Sequence, residues 1–229
     1  MNIIVTGASS GIGFELVKTL CQNAENKVVG IARNEAKLHR LSLQTSGNFY
    51  PIPFDLSAPD TSPLIQQIQS VTPTVDVLIN NAGLLINQPF TQLTDANWQQ
   101  IFEVNVFAVA RLTRALYPLL TKPGAHVVNI GSMGGYMGSA KFPGLSAYSA
   151  AKAAVAVMSE CLAEEWQPDG IKVNCLALGA VQTEMLNAAF PHYTAPLQAH
   201  EMAAWIAHFA QFGNRYFNGK VLPVSVTTP

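Results

Sequence analysis

The chain has few charged residues, few cysteines and no long apolar run. Lys, Arg, Asp and Glu make up only 12% of its 229 residues, and the formal net charge is -1. Because no basic run is present, we expect a small-molecule partner and neither nucleic acid nor an anionic membrane surface. No apolar stretch reaches about 18 residues and the first residues lack a charged leader, so no membrane span or signal peptide is expected, and a cytoplasmic location is predicted.

The three cysteines, Cys21, Cys161 and Cys175, are odd in number and lie inside apolar segments. This pattern favours reduced thiols in the core over a disulfide framework, and no metal site is expected. With 49% hydrophobic residues, the chain can bury a large core. The length and composition predict one α/β domain over residues 1–229.

Seven short apolar runs alternate along the chain with segments of helical pattern. Several runs are continuously apolar, which is typical of strands in a parallel sheet covered on both faces. We therefore predict a doubly wound α/β fold with a seven-stranded parallel sheet, helices on both faces and a ligand across the carboxyl ends of the strands. The predicted strands are 2–6, 27–31, 49–52, 75–79, 126–130, 171–176 and 221–224.

A glycine-rich turn, Gly7-Ala8-Ser9-Ser10-Gly11-Ile12-Gly13, connects the first predicted strand to a helical pattern. Its glycines allow a ligand to approach the backbone closely, and the helix N-terminus offers free N–H groups to a pyrophosphate. No Lys-Ser or Lys-Thr comes directly after the last glycine, which excludes a nucleoside-triphosphate loop. The alternative is a turn that only lets helix and strand pack together.

Tyr148 and Lys152 stand one helical turn apart, so a phenol and an ammonium group share one helix face. A buried cation within a few ångströms would lower the pKa of the tyrosine from its usual value of about 10, and the phenol could then act as an acid and a base. The same spacing also occurs on ordinary solvated helices. The spacing of Tyr148 and Lys152 therefore indicates a catalytic pair only in combination with the motifs around it.

Together the motifs resemble the short-chain dehydrogenase/reductase family, in particular its compact single-domain subgroup with TGxxxGxG and YxxxK motifs. The order of the motifs matches over nearly the whole chain, and this implies a Rossmann-like fold. The resemblance rests on residues 6–13, Asp55 after the third strand, Asn80 to Gly83 after the fourth, Asn105, Ser132 after the fifth, Tyr148 with Lys152, and Gly179 to Thr183 after the sixth.

The resemblance implies an oxidoreductase that interconverts a carbonyl and an alcohol, and the methionine- and aromatic-rich stretches predict a small, apolar substrate. Tyr148 would exchange a proton with the substrate, while Lys152 would lower the tyrosine pKa and bind the nicotinamide ribose. Ser132 would hydrogen-bond the carbonyl oxygen, and Asn105 would hold a water that links Lys152 to solvent. The alternatives are a Ser132 that caps a loop, an Asn105 that bonds backbone, and a non-catalytic NADP-binding sensor or scaffold.

The choice of cofactor depends on Arg33, after the second strand. An enzyme that binds NAD is expected to have an aspartate there for the ribose 2′-hydroxyl, whereas an arginine can pair with a 2′-phosphate. NADP(H) is therefore predicted, with NAD(H) bound at lower affinity, although Ser10 replaces a second basic residue common in NADP-binding relatives. An ordinary surface arginine is the alternative.

The resemblance also assigns a dinucleotide site. Asp55 would accept from the adenine amino group, with capping of its own turn as the alternative, and Thr183 would meet the carboxamide. The residues assigned to the cofactor are Gly7, Ser9, Ser10, Gly11, Ile12, Gly13, Arg33, Asp55, Leu56, Asn81, Ala82, Gly83, Tyr148, Lys152, Gly179, Val181 and Thr183.

Two segments are candidates for the substrate side. The interval from Ser132 to Tyr148 is 16 positions long, more than is usual in such relatives. Residues 184–196, interrupted by two prolines, form a short candidate lid. An apolar pocket is predicted, although such residues also pack as plain core. Its candidates are Met133, Tyr136, Phe142, Met185, Leu186, Phe190, His192 and Tyr193.

The helix predicted over residues 147–162 carries small and apolar residues almost all the way round, which indicates burial on two sides. We predict a homodimer in which this helix and the preceding one pair with their copies as a four-helix bundle, as the resemblance also implies. Residues 225–229 differ from the acidic, glycine-rich ending common in the family, so a homotetramer is left open. The preceding helix would contribute Phe107, Val109, Leu112 and Leu116.

Overall fold

The computed structural model describes residues 1–226, and in it all seven predicted strands form one sheet. The apolar runs begin and end within a few residues of the predicted bounds. Two further strands of two residues each pair with one another outside the main sheet. In chain order the strands are β1 (Asn2–Thr6), β2 (Lys27–Ala32), β3 (Phe49–Pro53), β4 (Val77–Asn80), β5 (His126–Ser132), β6 (Lys172–Leu178), β7 (Val181–Gln182), β8 (Leu197–Gln198) and β9 (Val221–Val224).

The main sheet is parallel throughout and has the order β3-β2-β1-β4-β5-β6-β9. The chain runs outward from β1 to β3 and then returns to β4 on the other side of β1. This reversal creates a crevice between β1 and β4, at the carboxyl ends of the strands. The doubly wound, Rossmann-like α/β fold is therefore confirmed.

Helices cover both faces of the sheet because alternate strand residues point to opposite sides. Ile3 and Val5 belong to one core cluster and Ile4 to the other. The helices are α1 (Gly11–Cys21), α2 (Glu35–Ser42), α3 (Ser62–Val71), α4 (Asp95–Phe102), α5 (Ala108–Leu116), α6 (Ser146–Glu165), α7 (Glu184–Ala189) and α8 (Ala199–Phe212). Residues of α1, α2 and α8 pack in the first cluster, and residues of α3, α5 and α6 pack in the second.

A π-helical segment, Glu103–Phe107, joins α4 to α5. The predicted long helix is thus continuous but contains one wide turn, and Asn105 lies in it, buried. Such wide turns are rare and occur often at functional sites, because they rotate one residue away from its regular helical position. The sequence pattern did not indicate this turn.

The prediction of buried cysteines holds for two of the three residues. Cys21 and Cys175 are buried as predicted, but the prediction for Cys161 was wrong, because this residue lies on the outer side of α6 and is exposed. Within residues 1–226, no helix combines the length and the apolar character needed to cross a bilayer. The predicted change at the C-terminus falls partly on residues 227–229, which lie outside the described residues.

Candidate active site

The glycine turn packs directly against the end of β4. Thr6 Oγ1 accepts hydrogen bonds from the backbone N–H groups of Asn81 at 2.9 Å and Ala82 at 3.0 Å. A Cβ atom on Gly13 would lie 2.3 Å from the carbonyl oxygen of Gly7 and 2.5 Å from Asn81 Nδ2. Only glycine fits there, so packing explains Gly13, which lies behind the cleft surface.

The turn also presents an anion-binding helix end. Ser10 precedes α1, and no side chain caps the first N–H groups of this 11-residue helix. Gly11 has φ of +53°, and a Cβ atom on it would lie 3.3 Å from Thr183 Cγ2. A pyrophosphate is the group that suits free N–H groups and a backbone without side chains. These residues therefore fit a dinucleotide.

A cleft of about 670 Å³ lies at the carboxyl ends of the strands. Every residue assigned to the cofactor by sequence lines this cleft, with the exception of Gly13 behind the turn. The predicted catalytic residues Ser132, Tyr148 and Lys152 line it as well, whereas Asn105 does not. The sequence motifs, which are spread over about 180 positions, thus meet in one place.

Ser132 and Tyr148 are hydrogen-bonded through their hydroxyl groups. Ser132 ends β5, and its Oγ also accepts a bond of 3.2 Å from the backbone N–H of Gly134. Burial raises the pKa of Tyr148 to about 12, and the hydrogen bond with Ser132 acts in the opposite direction but is smaller. The expected lowering of the tyrosine pKa is therefore absent in this arrangement.

Lys152 explains that difference. Its Nζ atom donates to the carbonyl oxygen of Ile130 at 2.7 Å and lies 5.8 Å from the centroid of the Tyr148 ring. The side chain is only 5% exposed, and burial lowers the pKa of Lys152 to about 8. The ammonium form still predominates at neutral pH, so a cation stands beside the phenol ring. Its hydrogen bond, however, goes to the Ile130 carbonyl of β5 and not to the phenol oxygen.

Asn105 bonds backbone, as the alternative interpretation held. Its Nδ2 donates to the carbonyl oxygens of Leu84 at 2.8 Å and Ile101 at 2.9 Å, and its Oδ1 accepts from Leu84 N at 3.1 Å. A Cβ atom on Gly83 would lie 3.1 Å from Asn105 Oδ1 and 3.6 Å from Lys152 Nζ. In this structure the side chain of Asn105 shapes the turn that lies against Lys152.

Arg33 and Asp55 are exposed on the dinucleotide side of the cleft. Asp55 Oδ1 accepts from Ser57 N at 2.9 Å and from Ser57 Oγ at 2.8 Å, so the alternative role of Asp55 in its own turn is present. The backbone N–H of Ser57 is the main cause that lowers the pKa of Asp55, and the charge of Arg33 contributes less. Within residues 1–226 Arg33 forms no salt bridge, so a positive side chain without a carboxylate partner lines this side of the cleft.

The end of the cleft next to the candidate lid, which is the predicted substrate end, is apolar. Six of the eight predicted residues line it, whereas Tyr136 and His192 do not. The carbonyl of Tyr136 is bonded by Ser139 and Lys141, which fold its loop onto itself, and His192 points to solvent on the lid. Sequence reasoning missed Leu85, Val104, Ala140, Leu145 and Ser225, which also line the cleft.

Thr183 connects the dinucleotide end to the candidate lid. It lines the cleft, and its Oγ1 accepts a bond of 3.2 Å from Leu186 N, which caps α7. The same oxygen thus caps the lid helix, and accepting this one bond leaves the hydroxyl a second lone pair and its proton for another partner. The residue therefore joins the two halves of the cleft.

Comparison with known proteins identifies the class. Residues 1–194 match the family described as short chain dehydrogenase, so the chain belongs to that family. Nodulation protein G of Rhizobium sp. (strain N33) is 32% identical, and the alignment covers 97% of this chain and 94% of the relative. The 3-oxoacyl-(acyl-carrier-protein) reductase FabG of Salmonella typhimurium is 31% identical, with the same two shares covered.

Solved structures share the fold. The 3-ketoacyl-(acyl-carrier-protein) reductase from Brucella melitensis, complexed with NADH, superposes with a TM-score of 0.88 over 98% of this chain and 96% of its own, at 24% identity. A 4-hydroxyisoleucine dehydrogenase mutant, complexed with NADH and succinate, gives a TM-score of 0.86 at 23% identity, with 98% and 97% covered. As a member of this family, the chain is an oxidoreductase that acts between CH–OH and C=O groups.

Proposed function

We propose that this protein is an NADP(H)-dependent oxidoreductase that interconverts a carbonyl and an alcohol on a small, apolar substrate. The observation that carries the proposal is the meeting of Ser132, Tyr148 and Lys152 at the boundary between the dinucleotide half and the apolar half of one cleft. The proposal includes a cytoplasmic location, which the three cysteines without disulfide partners support.

Each of the three residues has a separate role in the proposed reaction. The nicotinamide supplies or accepts the hydride when it is bound. Ser132 and Tyr148 hold the substrate oxygen between their hydroxyls, where negative charge develops during reduction. Tyr148 then donates its proton to that oxygen, or takes it back in the reverse direction. Lys152 places a positive charge beside the phenol ring, and a turn of its Nζ atom from the Ile130 carbonyl toward the phenol oxygen would stabilise the deprotonated form of Tyr148.

The lining of the substrate end supports an uncharged substrate. Met133, Phe142, Leu186 and Phe190 line it, and among the described residues Glu184 is the one acidic residue near them in the cleft. Apart from Lys152 at the boundary, no described lysine or arginine lines this half of the cleft, so an anionic substrate would lose hydration there without a cation to replace it. An acyl chain or a plain ketone suits the site, in agreement with the names of the 3-oxoacyl reductase relatives.

A carbonyl screen with NADPH tests this proposal. Uncharged apolar ketones and 3-oxoacyl thioesters are the expected substrates, and 2-oxo acids of similar size are the matched negative set. Turnover of the first set alone supports both the reaction and the substrate class. Turnover of the 2-oxo acids alone would show that the apolar assignment is wrong, and cofactor binding without any turnover would favour the alternative, a non-catalytic sensor or scaffold.

Arg33 is expected to set the cofactor preference. Its replacement in Arg33→Ala should narrow the gap in affinity between NADPH and NADH by about 1.5–3 kcal/mol, the value of a charge-assisted hydrogen bond. This is roughly ten- to a hundredfold, measured by titrating both cofactors side by side. Arg40→Ala, an exposed arginine at the other end of α2, is the control. If the variant kept the full preference, Arg33 would be an ordinary surface residue.

We also propose a homodimer built on α5 and α6. Phe107, next to α5, is 50% exposed, and Val157 of α6 is 58% exposed, so apolar side chains face outward from both elements. A stable dimer would bury at least about 1,000 Å² there. A homotetramer remains the less supported alternative.

Light scattering at micromolar concentration decides the assembly. The expected mass is twice the 24.6 kDa of one chain. Val157→Glu should shift the protein toward monomer, because a charge at the centre of an apolar interface loses its hydration. Leu43→Glu, a site that is 75% exposed on α2's C-terminal end, should have no such effect. A monomeric parent would exclude the dimer.

A further inference from the structure

Residues 184–196, the lid, are attached to the rest of the protein on two sides of the cleft. Near the start of the lid, Glu184 Oε2 lies 2.9 Å from Lys37 Nζ of α2. At the end of α7, the carbonyl oxygen of Ala189 accepts a bond of 2.8 Å from Asn87 Nδ2. Leu186 lies between these two attachments, Phe190 directly follows the second, and both residues line the cleft. The lid therefore spans the substrate end as a strap.

The two attachments differ in kind. The Lys37–Glu184 pair joins side chains that are 38% and 74% exposed, and such pairs are weak and screened by salt. The bond from Asn87 is directional and goes to a backbone carbonyl. It therefore fixes the position of the C-terminal end of α7 relative to Asn87, even though the Asn87 side chain is exposed.

Asn87 also contacts the long loop between Ser132 and Tyr148. Gly144 in that loop has φ of +84°, and a Cβ atom on it would lie 2.0 Å from Asn87 Oδ1. Gln88 N donates to the carbonyl oxygen of Gly144 at 3.0 Å. The Nδ2 group of Asn87 thus bonds the lid, and its Oδ1 atom packs against Gly144.

The loop and the lid form opposing walls of the substrate end. Phe142 and Leu145, on either side of Gly144, line the cleft from the loop, and Leu186 and Phe190 line it from the lid. Since Asn87 contacts both segments, it sets the distance between the walls. A side chain that touches neither cofactor nor reacting atoms can therefore control which substrates enter.

We propose that Asn87 is a specificity-determining positioning residue, which holds the lid against the loop of Gly144 and so limits the size of the ketone that the cleft accepts. The proposal rests on the proposed function for its substrate class. The underlying attachment is a property of the protein alone and can be measured without turnover.

Hydrogen exchange of the lid is the first readout. The N–H groups of Phe190, Tyr193 and Ala195 are hydrogen-bonded within or beside the lid and should be protected in the parent. Asn87→Asp keeps the shape of the side chain but removes the donor to Ala189, and Asn87→Ala removes the whole group. Both variants should exchange the lid amides about two- to tenfold faster, which is the effect of losing one hydrogen bond.

The second readout is the ratio of kcat/KM for a bulky apolar ketone to that for a small one. We expect this ratio to rise by about two- to tenfold in both Asn87 variants, while NADPH affinity stays that of the parent. Gly144→Ala should act in the same direction, because its Cβ atom displaces Asn87. Gly138→Ala is the matched control: its φ is +81° in the same loop, and a Cβ atom there meets nothing within 4 Å.

The outcomes separate this proposal from the function on which it rests. Faster lid exchange with a raised ratio in the Asn87 variants and in Gly144→Ala, but not in Gly138→Ala, supports it. Parent-like exchange, or an equal loss of rate on both ketones, overturns it. If the parent reduced no ketone, the proposed function would fail, and the exchange result would still decide whether Asn87 holds the lid.

Discussion

Tyr148→Phe is expected to lower kcat for carbonyl reduction by about 10²–10⁴-fold, the contribution of a positioned general acid. The substitution removes the transferable proton and the hydroxyl bonded to Ser132, but it keeps the ring packed beside Lys152. NADPH binding should therefore be retained. Single-turnover kinetics and a cofactor titration on the same preparation give both values.

A matched tyrosine is available in the same region. Tyr136 does not line the cleft, so Tyr136→Phe should reduce ketones at the rate of the parent. Near-normal rates in Tyr148→Phe would contradict the assigned mechanism. Loss of cofactor binding in this variant would instead show that the phenol is needed to build the dinucleotide half of the cleft.

Gly13→Ala is expected to weaken cofactor binding about tenfold or more. Its Cβ atom would lie 2.3 Å from the carbonyl oxygen of Gly7, and backbone atoms cannot move aside as a flexible side chain can. Overpacking of this kind costs about 1–3 kcal/mol and would shift the turn that should hold the pyrophosphate. A titration with NADPH measures the loss, and thermal unfolding shows whether the fold is kept.

Gly47→Ala controls for the general effect of removing a glycine. A Cβ atom on Gly47 meets nothing within 4 Å, so its φ of +83° affects only stability and not the cleft. We expect this variant to bind NADPH as the parent does. Equal binding by Gly13→Ala and the parent would mean that the turn adjusts without consequence.

The sheet was predictable because several of its strands are continuous apolar runs that no helix period explains. Buried runs such as the one at 3–5 specify a two-sided parallel sheet, and glycine and polar residues mark their ends. The site was predictable for a related reason. In this topology, motifs that follow successive strands must meet at one edge of the sheet.

Contacts between loops were not predictable. The bond from Asn87 to Ala189 and its packing on Gly144 join segments far apart in the chain, and no local pattern specifies them. The wide turn around Asn105 was hidden for the same reason, since its side chain bonds backbone from another segment. Burial of charged groups also depends on tertiary packing, so the direction of the Tyr148 pKa shift could not be read from the spacing to Lys152.

Transfer of deuterium from labelled cofactor to product tests the central claim most directly. The parent is incubated with NADPH that carries deuterium at the transferable position of its nicotinamide and with an uncharged apolar ketone, and the alcohol is analysed by mass spectrometry. We predict one deuterium on the carbinol carbon of each product molecule from the parent. Tyr148→Phe should form almost no deuterated product. Cofactor that binds to the parent while no ketone in the panel receives deuterium would contradict the assignment of this cleft to carbonyl reduction.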